Sequence, residues 1–134
     1  MEEESRDNKL RDARNSEATA AELERLRTLL AGVETRELAR QGSVGHAHSS
    51  LQPRIQLLHQ KRAELQAQVS LLDDNDDEAY ANLQQQIAVI DGQRKTQEAR
   101  LESALKFLRG EKLRLDTERQ TLERQIDDAE RSLL

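Results

Sequence analysis

The spacing of the large aliphatic side chains constrains this sequence more than any other feature. They recur at alternating steps of three and four residues, which places them along one side of an α-helix. One such stripe occupies the last third of the chain: Leu101, Leu105, Leu108, Leu115, Leu122, Ile126 and Leu133, with Lys112, Arg119 and Ala129 at intervening steps. The pattern predicts long α-helices that pack side by side.

The residue composition favours the same class of fold. Charged residues make up 35% of the chain and hydrophobic residues another 35%, whereas one Phe, one Tyr and no Trp leave little aromatic area for a globular core. We therefore expect an all-α protein built as an elongated coiled coil. Two arrangements fit: an antiparallel helical hairpin, or a three-helix bundle from which a long carboxy-terminal helix protrudes.

Breaks in the stripe divide the chain into candidate segments. Residues 1–15 are polar and predict a flexible lead-in. Helical spacing predicts a first helix over 16–41, and residues 42–50 form a Gly/Ser/His segment with the composition of a linker. A second helix is expected over 51–72, with Pro53 in its first turn, where a missing amide is tolerated.

An acidic segment follows the second helix. Residues 73–77 are predicted to form a turn, because consecutive acidic side chains repel one another inside a helix but are favourable at a helix start. Asn75 and Glu78 have the spacing of a capping pair. A continuous helix is the alternative, since the eleven-residue step from Leu72 to Leu83 also lets a coil run on.

The last helix is expected to span 78–134. A bend near residue 92 is the alternative to one straight helix, because the stretch 91–100 is nearly without apolar side chains and contains Gly92. A bundle would use only the first part of this helix, which leaves residues 100–134 without a partner in the chain. Burying each Leu or Ile is worth about 1.5–3 kcal/mol. We therefore expect the carboxy-terminal stripe to form a homodimer with a second copy.

The remaining apolar side chains are expected to pack within the chain, because each group repeats at steps of three and four within its own helix. They are Leu23, Leu26, Leu30, Val33, Leu51, Ile55, Leu58, Leu65, Val69, Leu72, Leu83, Ile87 and Ile90. Short connections between helices favour antiparallel neighbours.

The net charge of −5 argues against general nucleic-acid binding, which needs a basic face. One sizeable basic stretch, 92–114, is a candidate contact for a polyanion such as nucleic acid, a membrane surface or an acidic filament. Its basic side chains are Arg94, Lys95, Arg100, Lys106, Arg109, Lys112 and Arg114. The alternative is a solvated helix flank, neutralised by acidic neighbours three or four residues away.

Two clusters have residue types that can bind metals. The acidic segment 73–78 matches alternate positions of a calcium loop, but Glu78 and Gln84 stand where such a loop needs Gly and Glu. His46 and His48 have no third ligand nearby. The chain contains no phosphate-binding loop, nucleophile elbow or HExxH motif. We therefore predict no metal, no cofactor and no catalytic site.

The first residues, MEEESRDNK, lack the features of a secretory signal, and no run approaches the roughly 20 apolar residues of a transmembrane segment. With no cysteine, the chain is expected to be soluble and cytoplasmic. The leading hypothesis is a non-catalytic structural or adaptor coiled-coil protein that self-associates and scaffolds a macromolecular assembly, such as a cytoskeletal one, through an unidentified protein partner. Alternatives are a polyanion binder that uses 92–114 and an export or assembly chaperone.

Overall fold

Two long α-helices make up the fold. The computed structural model describes residues 2–134, with side chains from residue 5 onward. Helix α1 spans Glu2–Ser70, helix α2 spans Asp77–Leu133, and the two helices pack together. No strand is present over residues 2–134, so the prediction of an all-α fold is confirmed.

The chain divides into two compact units. The terminal unit consists of Met1–Arg40 together with Gly110–Leu134, and the hairpin unit consists of Gln41–Arg109. Residues 2–134 contain two helices where the bundle hypothesis needs three, because the segments predicted as the first and second helices belong to the single helix α1. In each unit, we call the line along which the two helices face each other the seam.

Buried aliphatic side chains hold the helices of the terminal unit together. The cluster consists of Leu26, Val33, Leu115 and Leu122, with Leu30, Ile126 and Ala129 packed against it. Arg27 of α1 pairs with Glu130 at 3.0 Å. Arg36, further along α1, pairs at 2.7 Å with Glu118, which lies earlier in α2. The two helices of this unit are therefore antiparallel.

This packing corrects the expectation that the carboxy-terminal stripe has no partner within the chain. Leu115 and Leu122 are buried against α1 residues, and Ile126 is half-buried on the same cluster. The expectation assumed that a first helix ends near residue 41 and packs only with the second helix, which would leave residues 100–134 uncovered. The homodimer inferred from an uncovered stripe therefore loses its premise.

The seam of the hairpin unit is less completely covered. Arg62 of α1 pairs with Asp91 of α2, so the helices are antiparallel here too. Within residues 41–109, all of which the structure describes, Ile87 and Leu108 are the only buried hydrophobic side chains. The other large seam side chains are half-buried: Val44, Leu51, Ile55, Leu58, Leu65, Val69, Leu72, Leu83, Ile90, Leu101 and Leu105.

The linker predicted over 42–50 is wrong, because α1 runs through this segment without interruption. Val44 is half-buried, as are the adjacent Ala47 and His48, and these positions continue the steps of three and four toward Leu51. The prediction weighed the low helix propensity of Gly and Ser, about 1 kcal/mol for each Gly, but packing of an apolar stripe usually decides whether a helix forms.

Pro53 accordingly lies inside α1 and not in a first turn. It has no N–H to donate to the carbonyl of Ser49, four residues earlier. The hydroxyls of Ser49 and Ser50 donate to the carbonyl of His46, at 3.2 and 2.8 Å. Serine hydroxyls bonded back into a helix weaken it locally. By intrinsic propensity, residues 46–53 therefore form a weak part of α1.

The connection between the helices lies at the acidic segment, where residues 71–76 separate α1 from α2. The carboxylate of Asp76 accepts a hydrogen bond from the amide of Ala79 at 3.3 Å, which makes Asp76 the N-cap of α2. The capping pair predicted from Asn75 and Glu78 is therefore displaced by one residue. Acidic side chains in the first turn of α2 also face the positive end of the helix dipole.

One further boundary differs from the prediction, at the beginning of the chain. Helix α2 is continuous through Gly92, as expected for one last helix. The lead-in predicted over 1–15 is helical from Glu2 onward, with Met1 outside the described residues. All side chains from residue 5 to residue 18 are exposed, so this part of α1 buries no apolar stripe.

Candidate interaction surfaces

Charge is distributed unevenly along the hairpin unit. Residues 41–62 of α1 and 94–109 of α2 contain eight Lys or Arg against two Glu, a balance of +6, together with all three histidines of the chain. The antiparallel packing brings these two ranges side by side, and we call them the basic belt. Residues 63–93, which include the turn, contain seven acidic residues and no basic one, a balance of −7. We call this range the acidic tip.

The basic belt contains part of the basic stretch predicted over 92–114. Of the seven predicted contacts, Arg94, Lys95, Arg100, Lys106 and Arg109 lie in the hairpin unit, whereas Lys112 and Arg114 lie in the terminal unit. All except Arg94 are exposed. Arg54 and Lys61 of α1 complete the belt, and the sequence analysis did not group them with it. The sequence alone could have indicated that Arg54 and Lys61 belong to a basic surface, since residues 41–63 contain no acidic side chain.

A network of ion pairs engages Arg94. Its guanidinium lies 3.2 Å from the carboxylate of Glu98 and 3.6 Å from that of Asp91. Asp91 also accepts a hydrogen bond from Arg62 of α1 at 2.8 Å, and Glu98 lies 3.5 Å from Nε2 of His59. The network joins the two helices of the hairpin unit, so Arg94 has a structural role there and is not part of the free basic surface.

A groove runs along the other flank of the hairpin-unit seam. It has a volume of about 540 Å³ and is lined by Lys61, Glu64, Leu65, Gln68, Asn82, Gln85, Gln86, Val89 and Ile90. Both helices contribute, and the lining combines aliphatic side chains with four carboxamides that can donate and accept hydrogen bonds. A groove between two helices is the geometry into which a further helix packs.

An exposed hydrophobic side chain of α1 lies on the same flank as the groove. Leu57 is one heptad before Glu64, which lines the groove. Residues a whole number of heptads apart lie on the same side of a helix packed along a seam. Leu57 is therefore placed on the flank that carries the groove, whereas the exposed Leu71 lies in the connection after α1.

Helix α2 adds two more exposed hydrophobic side chains to this flank. Val89 lines the groove, and Phe107 lies three heptads after Gln86, which also lines it. The heptad phase holds over this distance, since Ile87 and Leu108 are also three heptads apart and are both buried. We call the groove together with Leu57, Val89 and Phe107 the groove face.

A shielded ion pair lies in the terminal unit. Glu37 and Arg40 form two hydrogen bonds, at 2.7 and 2.8 Å, and their side chains are only 12% and 10% exposed. The hydrogen bonds to Glu37 raise the pKa of Arg40, and the carboxylates of Asp116 and Glu111 act in the same direction. Glu111 is half-buried, whereas Lys112, predicted at a core-type position, is exposed. A charged layer therefore interrupts the apolar seam here.

A more exposed pair lies nearer the amino terminus. Nε of Arg25 donates to a carboxylate oxygen of Glu22 at 2.8 Å. Hydrogen bonding from the guanidinium of Arg25 holds the pKa of the Glu22 carboxylate below its usual range. The pair lies within α1, three residues apart, and therefore supports the helix locally.

The candidate metal ligands do not converge. In the part of the chain that the structure describes, no group of three or more His, Cys, Asp or Glu is placed to hold a metal ion. His46 and His48 lie one turn or less apart on α1, with His48 half-buried on the seam. The acidic residues 73–78 form the turn and the start of α2.

The structure places the predicted packing residues as follows. Of those expected to pack within the chain, Leu23, Leu26, Val33 and Ile87 are buried and the other nine are half-buried. Of those expected at a dimer interface, Leu108, Leu115 and Leu122 are buried, Leu101, Leu105 and Ile126 are half-buried, and Leu133 is exposed.

Comparisons of the chain with models of protein families, with curated proteins and with solved structures found no match. Across the described residues, neither helix contains a segment apolar enough to cross a membrane.

Proposed function

We propose that this chain is a non-catalytic structural or adaptor protein, a cytoplasmic coiled coil whose paired helices hold a macromolecular assembly together. The observation that supports this most is how the buried side chains are used. In α2 they lie whole heptads apart, at Ile87, Leu108, Leu115 and Leu122, so burial serves to join one helix to the other. The outward side chains are left for contact with other macromolecules.

Affinity capture from native cell extract tests this proposal. The full chain should retain a specific protein, which, once purified, should raise the thermal midpoint of the chain in proportion to the logarithm of its concentration. The matched control is Val33→Asp, which places a charge at a side chain with 0% exposure and disrupts the terminal unit. A scaffold that presents folded helices should lose its partner in this variant. Equal capture by both chains, or no stabilisation by the purified protein, would contradict the proposal.

Polyanion binding is a second candidate function, supported by the +6 basic belt. Binding to a DNA duplex or to anionic vesicles should weaken steeply with salt, since each neutralised phosphate releases counterions. Lys106→Gln with Arg109→Gln should reduce the logarithmic salt slope by about two. The control is Lys112→Gln with Arg114→Gln, which removes the same charge from the terminal unit. Equal effects of the two double variants would rule out the belt as the binding surface.

A further inference from the structure

We propose that the hairpin unit binds an anionic lipid surface through one flank of its seam, the flank that carries the groove. This inference rests on the second candidate function, polyanion binding by the basic belt, and names the polyanion. The contact is made by three basic and two hydrophobic side chains, which we call the amphipathic patch. They are Arg54, Leu57 and Lys61 of α1 with Arg100 and Phe107 of α2, and all five are exposed.

Heptad spacing places the whole amphipathic patch on that flank. Its two hydrophobic members belong to the groove face. Arg54 is one heptad before Lys61, which lines the groove, and Arg100 is two heptads after Gln86, which also lines it. Residues a whole number of heptads apart lie on the same side of a helix packed along a seam. The basic and the hydrophobic members therefore share one surface.

The members of the patch are also close together along the helices. The numbers of residues paired across the helices of the hairpin unit sum to 157 and 153, or 155 on average. By that relation, Arg100 is level with residue 55 of α1, next to Arg54, and Phe107 is level with residue 48. The patch thus extends from level 48 to Lys61, which is roughly 20 Å at the rise of an α-helix.

The positive charge of the patch is not neutralised within the described part of the chain. Its three basic side chains form no ion pair with another described residue, whereas the nearby Arg62 and Arg94 both do. Residues 41–63 of α1 contain no acidic side chain that could approach them. The patch therefore presents three free cations to an external ligand.

The acidic side chains of this region lie outside the patch. Glu98 and Glu102 are two residues before and two residues after Arg100, and side chains two residues apart on a helix do not face each other. Glu64 lines the groove and marks the end of the patch toward the acidic tip. Charge complementarity therefore selects an anionic ligand.

The hydrophobic members of the patch favour a lipid surface over nucleic acid. Phe107 is 62% exposed and Leu57 is 50% exposed. A leucine side chain has no aromatic face on which a base could stack. At a lipid surface, by contrast, both side chains can enter the boundary between headgroups and acyl chains, while the basic side chains beside them reach the phosphates. One anionic lipid surface thus satisfies both kinds of side chain.

Flotation of the full chain with vesicles tests the charge of the patch. The chain should bind phosphatidylcholine vesicles that contain phosphatidylserine, and should not bind vesicles of phosphatidylcholine alone. Arg54→Gln with Arg100→Gln should weaken binding at least about tenfold, since each basic residue at an anionic surface contributes about fivefold. The control is Lys112→Gln with Arg114→Gln, which removes the same charge from the terminal unit and should change binding far less.

Fluorescence tests the entry of Phe107 into the lipid. The chain contains no tryptophan, so Phe107→Trp introduces a single reporter. Its emission should shift to shorter wavelength when vesicles that contain phosphatidylserine are added, because the indole leaves water. The control is Leu113→Trp, since Leu113 is as exposed as Phe107, at 68%, but lies in the terminal unit. That control should show no shift, and circular dichroism verifies that both variants stay helical.

The following results would overturn the inference: no binding to anionic vesicles, equal binding to neutral ones, equal weakening by the two double variants, or no emission shift in Phe107→Trp. A chain that binds a DNA duplex through the belt but no vesicle would overturn this inference alone and leave the second candidate function standing. A chain that binds neither would overturn both.

Discussion

Replacing Leu115 by alanine should destabilise the terminal unit far more than the same replacement at Leu113, two residues earlier in α2. Leu115 is 8% exposed and packs with Val33 and Leu122, whereas Leu113 is 68% exposed. Buried leucine-to-alanine changes cost about 2–5 kcal/mol, and a seam between two helices can close partly over the lost atoms, so we expect about 2–3 kcal/mol. At Leu113 about a third of the apolar area is buried, and the higher helix propensity of Ala offsets part of its loss. There we expect about 0.5 kcal/mol or less.

Urea unfolding followed by circular dichroism measures both values as changes in the free energy of unfolding. Because the contacts of Leu115 lie within one chain, the difference between the two variants should be the same at low and high protein concentration. A contact between copies would instead make the cost of Leu115→Ala depend on concentration. Equal losses at the two positions, or a difference that changes with concentration, would refute the packing of α2 against α1 in the terminal unit.

Three further outcomes are expected. Gly45→Ala should stabilise the chain by about 0.5–1 kcal/mol in urea unfolding, because alanine favours a helix and a Cβ at this position meets no atom within 4 Å; an unchanged midpoint would contradict the helix through 42–50. Asp76→Ala should cost about 0.5–2 kcal/mol as the N-cap of α2 is lost, whereas Asn75→Ala should cost little; the reverse order would restore the cap predicted from sequence. In a titration followed by nuclear magnetic resonance, the lowered pKa of Glu22 should return toward its ordinary value in Arg25→Gln. The stabilisation from this pair is present at neutral pH and is lost as the pH falls through the lowered pKa of Glu22, so a pKa unaffected by Arg25→Gln would exclude the pair.

Most of the secondary structure could be predicted from spacing alone. Aliphatic side chains at alternating steps of three and four residues predicted helix over both 51–70 and 78–133. The acidic segment predicted the turn between α1 and α2, because a row of carboxylates is unfavourable inside a helix and favourable at its start. The N-cap was misplaced by one residue, since Asn75 and Asp76 are both good capping residues and only the backbone decides between them.

The course of α1 through 42–50 could not be predicted from local propensity. Two glycines, three serines and a following proline disfavour a helix in this segment. In addition, the charged residues Glu37 and Arg40 occupy seam positions, so the apolar pattern is interrupted in the sequence. Glu37 and Arg40 form an ion pair with each other. The line of side chains between the helices therefore continues across these two positions in the folded protein, although the two residues are not apolar. Without this continuity, the prediction divided α1 into two helices. It therefore left the carboxy-terminal part of α2 without the α1 residues that cover it.

The pairing of the basic belt depends on the same point. Arg54 and Lys61 join Lys106 and Arg109 only when α1 is continuous and antiparallel to α2 in the hairpin unit. The charge of each range could be counted from the sequence. Which range of α1 lies beside which range of α2, however, depends on how the two helices are aligned along the seam. Net charge alone concealed the belt, because the acidic tip outweighs it in the total.

The exposed beginning of α1 has a consequence for how that segment melts. Residues 5–18 bury nothing, yet they extend a helix already nucleated by the packed residues from Leu23 onward. Each added residue therefore gains its hydrogen bond by propagation, without the cost of starting a new helix. Helix content in such a segment decreases gradually with distance from the packed part. Amide exchange should consequently speed up residue by residue from Thr19 back toward Ser5, as a gradient and not as one cooperative step.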